Sequence, residues 1–405
     1  MRQLGLILFT ISIFFATNKP YLLLVSFDGF RYDYADLVDT PNFDKIEKNG
    51  TKAKSLIPVF PSLTFPNHYS IATGAYAGKH NITANSFYDR KLDREYSLYD
   101  SSTVRDHRFY NSEPIWVTAE RQGVKSASYF WVGSEAKIKG FNPTIFKYYD
   151  GSVPFQSRID SVISWFKLSD SKRPQLILLY FSEPDHTGHK YGINIDKISK
   201  SVSKMDSLLG YMYAGLEKLE IFSDLNIVIT SDHGMSNVSP DRLIIIDEHI
   251  TYQDNLNVLG SGSHMQFDIV DDKISSNILY NQLQKIPNSQ AWNKDNIPKR
   301  FNFINNNTGQ FLLLANEGWF ITSKEKIDNK KFTLGGMHGY DPNLVNMHGI
   351  FYAIGPQIKK DFMIDSFTNI HIYPFLCKLL NIDMYVNEKD GPDGDIKVLD
   401  RIIIN

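Results

Sequence analysis

The chain has a single cysteine in 405 residues, which excludes any intrachain disulfide. That residue, Cys377, sits in the apolar stretch 373–380, where a free thiol packs as a small apolar side chain and is not a nucleophile. Charge of one sign is also lacking. Lys and Arg number 43 against 45 Asp and Glu, a net charge of -2. A long nucleic acid would need a basic stripe, so that class of ligand is excluded, while a small anion held by metal ions is not. Beyond the first eighteen residues no apolar run is long enough to span a bilayer, so no C-terminal anchor is expected. Internal repeats and low-complexity tracts are absent. What remains is a globular chain, 42% hydrophobic and 22% charged, able to bury a substantial core as one large α/β domain or two modest ones.

Three short apolar runs end abruptly in an acidic residue. Residues 21–27 run into Asp28-Gly29, residues 176–181 into Glu183-Pro-Asp185-His-Thr-Gly-His189, and residues 225–229 into Thr230-Ser-Asp232-His233-Gly234. Near-continuous apolar runs of this length read as strands of a parallel sheet buried on both faces. Ligands of such sheets sit beyond the carboxyl ends of the strands. Asp28, Asp185 and Asp232 are therefore expected on one rim, with His189, His233 and, from Gly335-Gly-Met-His338-Gly, His338. Three carboxylates and three imidazoles make a ligand set for two zinc-like ions. Taken singly, each motif has a plainer reading: Asp28-Gly29 as a turn, and Asp185 and His189 as a helical pair.

Ser62-Leu-Thr64-Phe65-Pro66 opens a further segment. Pro66 suits the first turn of a helix and Gly74 its end. Thr64 then lies at a helix N-terminus, either as a simple cap or as a hydroxyl beside a metal that can attack phosphorus. Other helices are expected over about 40–50, with Thr40 as cap, Pro41 at the first helical position and Gly50 at the end, and over 112–123 and 196–219. In the last, Ile198, Val202, Met205, Leu209, Met212 and Leu216 recur at helical spacing. Residues 239–331 lack periodicity and read as an insertion, a subdomain on the same core. Histidines 68, 80, 107, 186, 249, 264, 348 and 371 read as structural or solvent-exposed. Residues 1–18 resemble a signal peptide or an uncleaved anchor, ahead of one catalytic domain over 19–405. Sequons at Asn49, Asn81, Asn237 and Asn306 fit entry into the secretory pathway.

The motifs V-S-F-D-G-F-R from Val25, P-S-L-T-F-P-N-H-Y-S from Pro61, E-P-I-W-V-T from Glu113, E-P-D-H-T-G-H from Glu183, T-S-D-H-G-M from Thr230 and G-M-H-G-Y from Gly336 together resemble the ectonucleotide pyrophosphatase/phosphodiesterase family, in the alkaline phosphatase superfamily. The resemblance implies an alkaline-phosphatase-like α/β sandwich, a mostly parallel sheet with helices on both faces and an inserted subdomain. It implies two Zn2+ per chain, one on Asp185, His189 and His338, the other on Asp28, Asp232, His233 and the Thr64 oxygen. Thr64 resembles the nucleophile that forms a covalent nucleotidyl intermediate, and Asn85 the donor to the phosphoryl oxygen. Phe65 and Tyr149 correspond to rings that sandwich a base, with Trp131 nearby; read in isolation, they are core packing. The implied substrates are ATP, dinucleotide polyphosphates or similar small nucleotides, cleaved to a nucleoside monophosphate, with no evident protein partner. Two departures weaken the match: a nucleotide-binding lysine has no counterpart in Thr103-Val-Arg105-Asp-His, and the additional domains of larger relatives are absent. Cleavage of phospholipid head groups, as in other branches of the family, is the alternative, and an inactive binding homologue is a further one.

Overall fold

The computed structural model describes residues 20–251, 255–271, 274–329 and 335–404. The expected leader lies outside the described residues, as do the last two residues of the expected insertion. The three acid-terminated runs form the middle of an eight-stranded sheet. Its strands are β1 (Tyr21–Phe27), β2 (Thr51–Ala53), β3 (Ser126–Tyr129), β4 (Ile145–Lys147), β5 (Leu176–Phe181), β6 (Leu225–Thr230), β7 (Phe351–Ile354) and β8 (Phe362–Ile364). Their spatial order is β8-β2-β7-β6-β1-β5-β3-β4. Every pairing is parallel except the two made by β7. This is the expected mostly parallel α/β sandwich.

All seven residues of β1 are buried, which explains why the run shows no polar alternation. Leu22 and Leu24 enter one apolar cluster, and Leu23, Val25 and Phe27 the other. On the first face pack α2 (Thr64–Thr73), α3 (Ile115–Arg121) and α7 (Ile372–Leu380); on the second pack α1 (Pro41–Asn49), α4 (Phe155–Phe166) and α6 (Ile195–Leu216). The six apolar residues of α6 named above are all buried against the sheet. A short helix, α5 (Asp185–Tyr191), follows β5. Cys377 is buried in α7, where burial pushes its thiol up to about 12, so it stays protonated.

Two local expectations need correction. Thr40 is not the side-chain cap of α1: its hydroxyl donates to the Ala35 carbonyl, and the buried Asp206 carboxylate on α6 takes the Asn42 and Phe43 N–H groups. The aperiodic stretch after residue 239 contains regular structure. A four-stranded antiparallel sheet is built there from Leu256–Ser261, His264–Ile269, Phe311–Ala315 and Ser289–Asn293, over its own apolar cluster. The chain leaves the rim at Ser236–Asn237 and returns at Gly336–Met337, and these two segments pair antiparallel. That pairing brings His338 back to the Asp232 strand.

Candidate active site

β5, β1 and β6 are adjacent and in register, with Phe27 opposite Phe181 and Ser26 opposite Thr230. Their carboxyl ends therefore deliver Asp28, Asp185 and Asp232 to one rim. The turn after Asp28 requires glycine. Gly29 has φ +65°, and a Cβ there would lie 2.7 Å from the Asp185 Cβ. The Asp185 N–H donates to the Asp28 carbonyl at 2.9 Å, which fixes the two motifs together. Helix α5 sets His189 one turn after Asp185, with Nε2 3.5 Å from Asp185 Oδ1. Asp232 and His233 turn to the same side, and His233 Nε2 lies 3.0 Å from Asp232 Oδ2 and 3.5 Å from Asp28 Oδ1. His338 Nε2 is 3.0 Å from His189 Nε2 and 3.6 Å from Asp185 Oδ1. Its ring stacks on His233 with centroids 3.5 Å apart.

The imidazoles share one orientation. Nδ1 of His189 faces the Gly336 carbonyl at 3.1 Å, that of His233 the Gly234 carbonyl at 2.9 Å, and that of His338 the Ser62 carbonyl at 2.8 Å. A carbonyl can only accept, so each Nδ1 carries the proton and each neutral ring turns an Nε2 lone pair to the rim. Opposite these lone pairs stand Asp28 Oδ1, Asp185 Oδ1 and Asp232 Oδ2, all buried and without a hydrogen-bond donor. Unpaired buried acceptors cost about 1–3 kcal/mol each, more when charged. An arrangement of acceptors facing acceptors becomes favourable when cations sit among them. The ligand atoms of Asp185, His233 and His338 lie within 4.8 Å of one another, as do those of Asp28, Asp232 and His233. The residues thus fit divalent cations, and His233 is within reach of both groups.

The electrostatics agree. Burial, then the Asp232 and Asp185 carboxylates, holds the Asp28 carboxyl well above its ordinary range. For Asp232, burial acts upward, and only positive charge on the adjoining His233 and His68 rings outweighs it and holds the carboxyl low, while Asp232 in turn raises His233; without cations, protons have to supply that charge. His338 is pushed well down by burial and by the neighbouring His233 and His189 rings. Without cations the cluster cannot ionise freely, and positive charge relieves it.

Thr64 is the first residue of α2, and Gly74, with φ +69°, ends that helix. Its Oγ1 donates to His233 Nε2 at 3.2 Å, which places the hydroxyl at the rim. Asn85 Oδ1 accepts the Phe65 N–H at 3.0 Å, so the carboxamide is fixed with its Nδ2 donors unspent on that bond. A cavity of about 420 Å³ runs from Asp28, Thr64 and Asn85 along Phe65, Trp131 and Tyr149. Tyr149 is 55% exposed, whereas Trp131 is sealed in the wall with its ring N–H donating to the His68 carbonyl at 3.1 Å.

Several residues of this site were not singled out from the sequence. Tyr180 donates its hydroxyl to Asp28 Oδ2 at 2.6 Å. It is the one polar-tipped residue in the run 176–181, a signal that could have been read. His68, read as structural or exposed, is buried; Nδ1 donates to the Thr64 carbonyl at 2.9 Å and Nε2 accepts from Ser26 Oγ at 2.8 Å. Arg105 and Glu135 line the far cavity wall, paired at 2.8 Å, and Glu135 accepts the Tyr149 N–H at 2.7 Å.

The family model of type I phosphodiesterase / nucleotide pyrophosphatase matches residues 22–341. The chain belongs to that family. It is 38% identical to the venom phosphodiesterase CdcPDE of Crotalus durissus collilineatus over 93% of this chain and 46% of the relative. It is 37% identical to ectonucleotide pyrophosphatase/phosphodiesterase family member 5 of Homo sapiens, over 90% of this chain and 75% of that one. The chain thus spans less than half the length of the venom relatives. The solved structure of murine ectonucleotide pyrophosphatase/phosphodiesterase 5, an inactive threonine-to-alanine variant in complex with AMP, superposes with a TM-score of 0.88 at 32% identity, covering 95% of this chain and 100% of that one. Among the described residues no helix is long and apolar enough to cross a membrane.

Proposed function

We propose that this member of the type I phosphodiesterase family is a two-zinc hydrolase that cleaves phosphodiester or pyrophosphate bonds of small nucleotides and releases nucleoside monophosphates. The observation that carries the reading is the set of three orphaned carboxylate oxygens facing three imidazole Nε2 atoms, with the Thr64 hydroxyl beside them. Asp185, His189 and His338 would hold one ion, and Asp28, Asp232, His233 and Thr64 Oγ1 the other. Imidazole-rich sites select zinc over magnesium, which prefers oxygen ligands and retained water. When bound, the ions supply positive charge to the phosphoryl oxygens and acidify hydroxyl groups.

The chain's own groups divide the remaining work. Thr64 Oγ1 gives up its proton and bonds to phosphorus as the bond to the leaving oxygen breaks and that oxygen takes up a proton. Water then splits the Thr64 ester, its oxygen staying on phosphorus in the nucleoside monophosphate and one of its protons returning to Thr64 Oγ1. Asn85 Nδ2 donates to a phosphoryl oxygen, a contribution of about 2.7–4 kcal/mol for preorganised donors of this kind. Phe65 and Tyr149 take the base between them, and Trp131 backs the wall. That a threonine-to-alanine variant of the murine relative is inactive and holds AMP supports a threonine-dependent reaction on a small nucleotide. Delivery to the secretory pathway fits the apolar leader and the extracellular character implied by the venom and ectonucleotide names. Assay of the purified, zinc-loaded protein against ATP, a diadenosine polyphosphate, lysophosphatidylcholine and a phosphate monoester tests the reading. The nucleotide diesters should be cleaved fastest, and preference for the lipid would transfer the chain to the phospholipid branch.

A further inference from the structure

Arg158 is a buried cation held without a direct ion pair among the described residues, Asp150 acting on it only from a distance. It lies on α4, is 0% exposed, and among the described residues makes no ion pair with a carboxylate. Its Nε donates to the Val153 carbonyl at 3.2 Å and Nη1 to the Tyr180 carbonyl at 2.9 Å, while Nη2 is buried without a partner. Sealing a guanidinium away from water without a carboxylate is costly, so the position calls for a use.

Its neighbours supply one. The guanidinium carbon lies 4.9 Å from the Phe130 ring centroid and 4.8 Å from that of Phe155. Phe130 adopts φ +72°, a left-handed conformation that a non-glycine residue keeps only when its surroundings hold it there. Its ring meets Tyr149 edge to face at 5.1 Å. On the other side, Tyr180, whose carbonyl takes Nη1, is the residue whose hydroxyl donates to Asp28 Oδ2. A single side chain therefore supports the cavity wall and the residue that orients a rim carboxylate.

We propose that Arg158 is a positioning residue that couples the aromatic wall to the Asp28 carboxylate, so that a planar group on Tyr149 and a phosphoryl group at the rim keep a fixed separation. The inference rests on the phosphodiesterase reading above. The planar guanidinium suits the task, because it lies against ring faces while donating in a rigid fork, which an ammonium cannot reproduce. Apolar replacement of a costly buried charge is commonly neutral or stabilising, so a positioning role shows as activity lost at unchanged stability, whereas a role in stability alone predicts activity that tracks the folded fraction.

The test compares full-length Arg158→Met and Arg158→Lys with the wild type, zinc-loaded, by thermal melting, kcat and KM on a diadenosine polyphosphate and on a base-free chromogenic diester. Arg158→Met should melt no lower than wild type yet lose on the order of 10-fold or more in kcat/KM on the dinucleotide, as loss of an orienting partner does. KM should rise only for the substrate with a base, kcat should fall for both, and Arg158→Lys should not restore either. Wild-type kcat and KM on both substrates in either folded variant would overturn the proposal. So would equal losses on the two substrates that track the folded fraction. If Arg158→Met fails to fold, the same split in Arg158→Lys decides. A calorimetric arm separates this inference from the reading it rests on: Thr64→Ala should bind AMP more tightly than Thr64→Ala/Arg158→Met, and equal affinities contradict the coupling. Wild-type inactivity on every diester would instead sink the phosphodiesterase reading.

Discussion

His189 Nε2 and His338 Nε2 lie 3.0 Å apart while the Nδ1 atoms of both rings face backbone carbonyls. Two lone pairs therefore confront each other, beside the orphaned Asp185 Oδ1, and only a shared cation or proton reconciles them. Metal analysis after mild dialysis should return about two zinc equivalents per chain, as in two-metal sites. His338→Ala or Asp185→Asn should drop that to about one and nearly abolish turnover. Chelation should also lower the melting temperature, because ions that bind only the folded state stabilise it by about 4 kcal/mol at a thousandfold excess over Kd. Full activity with no transition metal bound would contradict this assignment.

Phe65 and Tyr149 line the same cavity as Thr64. Stacking of a base on an aromatic ring is worth about 1–3 kcal/mol. Phe65→Ala and Tyr149→Ala should each lower kcat/KM on ATP by roughly 5- to 150-fold while barely affecting a chromogenic diester that lacks a base. Equal losses on both substrates would mark the rings as packing.

Much of this site was legible because its strands are buried on both faces. Such strands read as unbroken apolar runs, and the acid ending each run marks the rim. Thr64 was legible from Pro66 and Gly74, which bracket its helix. Other features depend on distant contacts that no local pattern carries. Arg158 takes its meaning from Phe130, Val153 and Tyr180, on three separate segments. His68 matters only because α2 packs it between Ser26 and the Thr64 carbonyl. The sheet inside the insertion escaped notice because its strand Leu256–Ser261 has no fully buried residue, and so shows no alternation.

His80 gives the fold an acid sensitivity that can be measured. Its Nδ1 accepts the Ile82 N–H at 3.1 Å, so the ring must be neutral, and burial lowers its pKa to about 3. Between that value and about 6.5 the unfolded chain binds the extra proton. Stability should therefore fall as pH drops below about 6.5, by up to about 1.4 kcal/mol per pH unit from this group. Thermal melts of His80→Gln from pH 7.5 to 5 should show a shallower pH slope than wild type. An unchanged slope would remove His80 from the account.

Of the four sequons, Asn81 is closed by the fold. It is buried, its Nδ2 donates to Asp89 Oδ2 at 2.9 Å and to the Phe109 carbonyl at 3.1 Å, and its Oδ1 accepts from Asn307. Asn49, Asn237 and Asn306 are exposed. Glycopeptide mapping of protein secreted from a eukaryotic host should find glycans at one or more of those three and none at Asn81. Occupancy at Asn81 in folded protein would contradict the network.

Thr64 carries the central claim, and its substitution tests that claim most directly. AMP release from ATP should be measured for zinc-loaded wild type, Thr64→Ser and Thr64→Ala, alongside zinc content and AMP binding. The account predicts that Thr64→Ala keeps its fold, most of its zinc and its AMP affinity but loses turnover by at least about 1,000-fold, the scale expected when a nucleophile is removed, while Thr64→Ser retains measurable activity. Hydrolysis by Thr64→Ala at the wild-type rate would contradict the covalent mechanism.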